Sequence, residues 1–433
     1  MDIAPPTQPA PSHTQGRWTI VGLLLVVQIF ANIDRQVLNV LVEPVQAEFG
    51  LSNTVMGLLT GAAFSVFYAV LGVPLAMLAD RANRRNMIAA AIAVWSAMTV
   101  LCGMAQSAAH LILARIGVAV GEAGAGPASH SIVSDLFAPK ERATPMAVLA
   151  MGPNFGILFG FILGGLISAA FGWRAAFIAV GVPGLLVALI VVLGMREPKR
   201  GMADDILVDT DAPSLGLGDL MRTIAAKPSL LFIIMGFSCA GMFGYGTIAW
   251  ITPFFHRSYG LSEGEIGPLI GLIVGIAGAV GTFAGGFLAD RLGRRDVRWR
   301  LWIICIVGLG SVPLAVAAYL AQNQWLTLAL MVLPASIAVF HAGPSFALLQ
   351  GLVHVRLRAV GAAFLLFCLN VVGGGLGPLY VGIMTDLLEP SLGLEALRYA
   401  LLSLAVPMLF SGLFYFLATR TLVRDLAAPH PET

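Results

Sequence analysis

Charge is what this chain has least of. Of its 433 residues only 11% are Asp, Glu, Lys or Arg, while 58% are apolar. A soluble domain carries about 25% charged residues, so an ordinary water-soluble globule is excluded. The net charge of +2 gives no reason to expect nucleic acid as a partner. Cysteine is scarce too. Cys102, Cys239, Cys305 and Cys368 fall in separate apolar runs, without metal-ligand or redox spacing, and are expected to pack as small apolar residues. There is no paired His-Asp motif, metal cluster or Gly-rich phosphate loop. The chain is therefore not expected to be an enzyme or to hold a metal or cofactor. The absence of an ATP-binding signature argues against a primary pump unless a partner supplies it. The first 16 residues are Pro-rich and polar, with none of the features of a signal peptide.

What the chain has instead is apolar length. Runs of about twenty apolar residues are the signature of membrane-spanning helices. Twelve are expected, over 18–41, 53–78, 86–106, 108–130, 144–170, 173–195, 229–254, 264–289, 299–321, 326–351, 358–384 and 394–418. If the N-terminus is cytoplasmic, the cytoplasmic tails and loops hold 20 of the 25 Lys and Arg. The outer loops then hold Arg174, Arg257 and Arg398, and Arg35 and Arg115 lie inside helices. Basic residues favour the cytoplasmic side, so both termini are expected there, most naturally in a bacterial inner membrane.

The sequence also repeats. Gly50-Leu51-Ser52 recurs as Gly260-Leu261-Ser262, and Gly57 and Gly61 recur as Gly267 and Gly271, all at an offset of 210. Asp80-Arg81 with Arg84-Arg85 recurs as Asp290-Arg291 with Arg294-Arg295 at the same offset. Asn154 matches Asn370 at an offset of 216. Two six-helix halves in one orientation, related by an axis along the membrane normal, explain such a repeat. The expected division is a tail over 1–17, one bundle over 18–195, a polar cytoplasmic linker over 196–228, a second bundle over 229–418 and a tail over 419–433. Thr223–Lys227 is a candidate for part of a short surface helix in the linker.

The segment Gly286-Phe287-Leu288-Ala289-Asp290-Arg291-Leu292-Gly293-Arg294-Arg295 resembles the loop signature of the major facilitator superfamily. The first copy, from Ala76 to Arg85, departs from it at Ala76 and Asn83, where the signature has glycines. Three further stretches resemble the Spinster-like branch, whose animal members export lysolipids and sphingosine-1-phosphate. They are Asp34-Arg35 with Glu43-Pro44, Gly121-Glu122-Ala123, and Asp135 to Arg142. Proton-coupled anion symporters of the superfamily also carry Asp-Arg in the first helix. The resemblance implies an all-α fold of twelve helices, alternating access, a proton gradient in place of a cofactor, and a monomer among membrane lipids. It further implies a cytoplasmic gate at Asp80, Arg81, Arg84, Arg85, Asp135, Asp290, Arg291, Arg294 and Arg295. The plainer account of the arginines is that they only enforce topology.

Few charges fall well inside the helices: Asp34, Glu122, Arg35 and Arg115. Charges at membrane depth are costly and mark transport pathways. The separation of seven residues puts Arg115 and Glu122 two turns apart on one helix face. Asp34 is expected to carry the proton, with Arg115 as its switchable partner. Glu122 is either a second acid or a ligand for a cationic headgroup. Arg35 either holds an anionic headgroup or fixes Asp34. A static salt-bridge cluster is the competing account.

In the second half, Gly244 and Tyr245 stand where Asp34 and Arg35 stand in the first. Ionic groups on one wall and apolar ones on the other suit an amphipathic molecule such as a lysolipid. A small organic anion such as a sugar acid is the alternative. Tyr245, His341, Asn154 and Asn370 are cavity candidates. For His341 a hydrogen-bonded core role is the commoner fate, and Trp250 is expected in the interfacial aromatic belt. Gly152, Gly156, Gly160, Gly164 and Gly165 form a close-packing face. They match the superfamily's antiporter signature only in part, because Gly165 replaces its proline.

Overall fold

A computed structural model describes residues 14–79, 82–138, 141–198 and 216–428. Asp80 and Arg81, expected in the gate, lie outside these residues, as does the acidic stretch Asp204–Asp211 of the linker.

Length and hydropathy decide the helices. In bilayer hydrocarbon every backbone group must be satisfied within its own segment, so apolar runs become helices. The spanning helices are numbered in chain order. Helix 1 is Thr14–Val40, continued by Val42–Phe49. Helix 2 is Asn53–Gly57, a π-helical turn Leu58–Ala62, and Ala63–Ala79. Helix 3 is Arg84–Gly103, and helix 4 is Ala108–Glu122 with Ala125–Leu136. Helix 5 is Ala143–Ala150 with Gly152–Phe171, and helix 6 is Trp173–Gly194. The second half has helix 7 (Pro228–Tyr259), helix 8 (Glu263–Gly293) and helix 9 (Trp299–Leu320). Helix 10 is Gln324–Phe340 with Ala342–Leu352. Helix 11 is Arg358–Cys368, a π-helical stretch Leu369–Leu376, and Gly377–Leu392. Helix 12 is Ala396–Ser403 with Ala405–Ala427.

Among the described residues, eleven apolar segments are long enough to cross a membrane, and one of them runs over 70 residues, Arg358–Ala427. A single crossing needs about twenty residues. The chain reverses within that segment at Gly393, whose φ of +54° suits glycine. It therefore makes two crossings, giving the expected twelve. Helices 1, 4, 7, 8, 11 and 12 overrun their expected C-terminal ends by four or more residues, while helix 3 ends three residues short. In the linker, Leu217–Ala226 forms a helix with Leu220 and Thr223 buried. It starts earlier than the segment anticipated there.

The repeated glycines mark where the halves meet. Hydrophobicity does not drive helices together in lipid; close packing does, and it needs small residues. Helix 2 meets helix 11. A Cβ on Gly57 would lie 2.5 Å from the Pro378 carbonyl oxygen, and one on Gly61 would lie 2.9 Å from that of Gly374. Helix 5 meets helix 8, where a Cβ on Gly267 would lie 2.4 Å from the Phe161 carbonyl oxygen and one on Gly271 would lie 2.8 Å from that of Leu158. Gly165 takes part in this second seam, against the Glu263 carbonyl oxygen at 2.3 Å. Gly152, Gly156 and Gly160 instead bring helix 5 against Gln28, Asn32 and Gln36 of helix 1.

Polar contacts reinforce the seams at the end of the bundle away from the termini. Asp386 of helix 11 accepts from the backbone N–H groups of Asn53 and Thr54 at 3.0 and 2.8 Å. The second half thereby caps the free N-terminus of helix 2. The repeat-related start of helix 8 is capped from within, by Glu265 on the Ser262 N–H at 2.9 Å. Arg257 of helix 7 crosses to Glu43, Asn53 and Gln46 at 2.6, 2.9 and 2.8 Å. Trp250 is fully buried and donates to the Pro378 carbonyl at 2.9 Å. It ties helix 7 to helix 11, and so lies away from the interfacial belt expected for it.

At the terminal end the contacts close within each half. Arg84 is buried and pairs with Asp135 and with Glu197, the latter at 2.8 Å. The Arg85 N–H donates to Glu197 at 2.8 Å. Asp290 reaches Arg300 at 3.8 Å. Arg291, Arg294 and Arg295 are exposed and form no ion pair among the described residues. Among the described residues the latch expected between halves is not formed, and the polar contacts that join the halves lie at the opposite end. Replacing Gly267 by Val should force helices 5 and 8 apart at a cost of about 1–3 kcal/mol, read as a lower melting temperature in detergent. An unchanged melt would show that this seam tolerates a side chain.

Candidate functional site

Helix 1 places Asp34 and Arg35 about 100° apart around its axis. The two side chains therefore enter different compartments. Arg35 Nε donates to Glu122 Oε2 of helix 4 at 2.5 Å. Its guanidinium lies over the Tyr68 ring at 4.4 Å and the Phe64 ring at 4.8 Å. Cations over aromatic faces are attracted by the ring quadrupole, more so when dry. The Arg35 side chain is 25% exposed and that of Glu122 only 1%. Arg35 is the charged face of the site and Glu122 its buried counterion.

Asp34 turns the other way, toward helix 3. It is buried, and among the described residues neither carboxyl oxygen has a hydrogen-bond partner within bonding geometry. Arg115 donates to the Asp34 backbone carbonyl at 3.1 Å, not to its carboxylate. The expected Asp34–Arg115 side-chain pair is therefore replaced by an Arg35–Glu122 pair, with Arg115 anchored on main chain. The reason is angular: only one of two adjacent residues can face helix 4 squarely. Arg115 also lies 5.4 Å from the Phe64 ring, so both guanidinium groups contact that ring.

Between the halves lies a cavity of about 340 Å³. Asn32, Arg35 and Gln36 of helix 1 and Asn154 of helix 5 face it from the first half. The second half contributes a mostly apolar wall, with Ile248, Ile251, Ile270, Ile273, Met331 and Leu369. Its polar side chains are Thr247 and Tyr319, whose hydroxyls lie 3.2 Å apart, Tyr245, His341 and Thr282, the last bonded back to the Gly278 carbonyl. His341 sits at the break in helix 10, its ring edge-on to Phe237 at 5.0 Å. A smaller void of about 40 Å³ adjoins the cavity, touched by Arg35, Arg115, Ser65, Tyr245 and Asn370. Arg35, Tyr245, Asn154 and His341 thus share the chamber. Arg115 and Asn370 reach only the annex, and Asp34 and Glu122 line neither.

Sequence reasoning missed Phe64, Tyr68, Gln36 and Tyr319, which look like packing residues in an apolar run. It also missed Trp95 and Thr99 of helix 3, which direct their polar atoms at Asp34. A signal existed: Trp95, Thr99 and Cys102 fall at i, i+4 and i+7, one face of a helix whose span lacks charge after Arg85. At the far end, Glu48 accepts from Arg174 at 2.5 Å and from Trp173 at 2.7 Å. Those two bonds hold the Glu48 carboxyl below its ordinary value.

The geometry can be compared with known proteins. The family model of the major facilitator superfamily matches residues 24–378. The chain belongs to the major facilitator superfamily. It is 36% identical over 410 residues to an MFS-type efflux pump of Mycolicibacterium smegmatis, covering 94% of each chain. A crystal structure of a bacterial homolog to the human lysosomal transporter Spinster, inward-facing and unoccupied, superposes with a TM-score of 0.89 at 31% identity. That match covers 96% of this chain and 100% of the other. The sphingosine-1-phosphate transporter of Danio rerio is 24% identical, over 93% of this chain and 84% of its own. A probable L-galactonate transporter of Escherichia coli is 26% identical, over 79% of this chain and 76% of its own. Within the superfamily the chain resembles the Spinster-like branch, and it is a transporter, not an enzyme. Its relatives include carriers of sphingolipid and of organic-anion type.

Removing the partner of a buried charge costs more than the pair is worth. Glu122→Ala should therefore destabilise by about 3–5 kcal/mol, and Arg35→Met/Glu122→Leu together by less than the sum of the singles. A double-mutant cycle on thermal melts checks this, and additive effects would mean the two side chains are not coupled.

Proposed function

We propose that this protein is a proton-coupled secondary transporter that moves an amphipathic lipid, of lysolipid or sphingolipid type, by alternating access. The observation that carries the reading is the division of the central chamber. Arg35 presents a cation from the first half, and the second half presents isoleucine, leucine and methionine. An anionic headgroup suits the first wall and an alkyl chain the second. Asp34 carries the proton, out of the substrate's reach behind Arg35. Glu122 and Arg115 are its electrostatic neighbours. With the termini cytoplasmic, the sealed end is the outer one and the state is inward-facing. The described gate residues Arg84, Arg85, Asp135, Asp290, Arg291, Arg294 and Arg295 bridge the halves in the alternate state, and Asp80 and Arg81 belong to the same proposed gate.

A small organic anion carried with a proton is the second reading. It is favoured by the polar atoms around Arg35, namely Asn32, Gln36, Asn154, Thr247 and Tyr319, which suit sugar hydroxyls. Native mass spectrometry with lysophosphatidic acid and with galactonate separates the two. Lysolipid binding lost in Arg35→Ala supports the first reading, and galactonate binding alone supports the second.

Asp34→Asn should leave a folded protein whose uptake into proteoliposomes no longer responds to an imposed pH gradient. Uptake that still follows the gradient rules out Asp34 as the carrier.

A further inference from the structure

Helix 3 passes behind helix 1, clamped between two neighbours. On one side Gly121 of helix 4 lets Trp95 approach so closely that a Cβ there would lie 2.7 Å from the Trp95 backbone nitrogen. On the other, Gly184 of helix 6 faces the Ser96 hydroxyl, which a Cβ would meet at 2.1 Å. Ser96 therefore points away from Asp34. Trp95 and Thr99, one helical turn apart, point toward it.

Both side chains are buried, and both are uncommitted elsewhere. Helical serines and threonines usually bond back to the carbonyl four residues earlier. Ser129, Ser238, Thr282 and Thr385 do so here at 2.7–2.9 Å. Thr99 does not. Of the other buried tryptophans, Trp250 donates to the Pro378 carbonyl at 2.9 Å and Trp173 to Glu48 at 2.7 Å. The Trp95 N–H has no such acceptor. A buried polar atom left unmade is costly, so two spare donors beside one unsatisfied carboxyl are not incidental.

We propose that Trp95 and Thr99 are positioning residues that set the pH at which Asp34 exchanges its proton, acting as a neutral donor pair. This rests on the reading of Asp34 as the proton carrier. An indole N–H can only donate, so it serves the ionised carboxylate. A hydroxyl donates to the carboxylate and accepts from the acid, so Thr99 serves both states. Because neither is charged, the pair stays constant while charged neighbours rearrange. Those neighbours are Arg115 and Glu122 of helix 4 and Arg35 of helix 1; the Cys102 thiol of helix 3 is a further titratable group beside them, uncharged as a thiol. Helix 5 lies against this part of helix 1 with Gly152, Gly156 and Gly160, and its Asn154 is uncharged.

The test is infrared spectroscopy of the full chain in lipid vesicles, following the protonated-carboxyl band against pH. The band abolished by Asp34→Asn is the reference. Removing a donor to an ionised group favours the protonated form, so Thr99→Val and Trp95→Phe should each move the midpoint toward alkaline pH by about one unit. Thr99→Ser should restore it, and Ser96→Ala should leave it unmoved. If Asp34→Asn removes no titrating band, the proton-carrier reading falls and this inference with it. If the band titrates but ignores both Thr99→Val and Trp95→Phe, this inference alone is overturned.

Discussion

Four ionisable side chains in an apolar bundle must be satisfied by one another, and the rest of the molecule is arranged around that demand. Asp34, Arg35, Arg115 and Glu122 all belong to the first half, two acids against two bases. Charges at this depth are tolerated only when paired or turned to a polar cavity. Arg35 meets both conditions, with Glu122 at 2.5 Å behind it and the central chamber in front. The second half carries no such group at the equivalent positions, where Gly244 and Tyr245 stand. The asymmetry of the chamber follows directly: one half supplies electrostatics and the other supplies shape and apolar surface.

The halves themselves are joined by a different chemistry. Their seams are glycine against backbone, with little side-chain interlock, so they can slide or part without unravelling a core. Two π-helical segments, Leu58–Ala62 and Leu369–Leu376, face each other across one seam, where Gly61 lies against Gly374. Such irregular turns are common at functional sites. Hydrogen bonds from Arg257 and Asp386 then hold the far end shut. They are charge-assisted and largely buried, with the Arg257 and Glu43 side chains only 15% and 19% exposed. A closed end held by a few polar contacts, not by a continuous apolar core, suits a protein that must reopen it.

The fold was legible because its causes are local and repeated. Apolar length fixes the helices, and the offset of 210 marked Gly57, Gly61, Gly267 and Gly271, which prove to be the contact points between halves. The arginines counted at the outer end, Arg174, Arg257 and Arg398, show what topology rules leave out. Arg174 binds Glu48, Arg398 donates to the Tyr319 carbonyl at 2.7 Å, and Arg257 crosses the halves. Each breaks the charge bias because it has a structural partner. The four buried charges were legible too, but their pairing was not. Whether Asp34 or Arg35 meets helix 4 depends on the rotation of helix 1, which glycines of helix 5 set from 124 residues away. Trp95 and Thr99 escaped for a related reason: neutral donors do not stand out in an apolar run.

The separation of Asp34 from the chamber bears on how coupling could work under the proposed function. Substrate reaches Arg35 but not Asp34, so any influence must pass through shared charge. An anionic headgroup at Arg35 would compete with Glu122 for one guanidinium. To the extent that it succeeds, Glu122 and Asp34 are left with Arg115 alone, two carboxylates to one cation. Like charges confined together in a low-dielectric site cannot both remain ionised, and one must take a proton. Coupling then requires no direct contact between cargo and proton. It needs only that Arg35 stand between two claimants, which is where Tyr68 and Phe64 hold it.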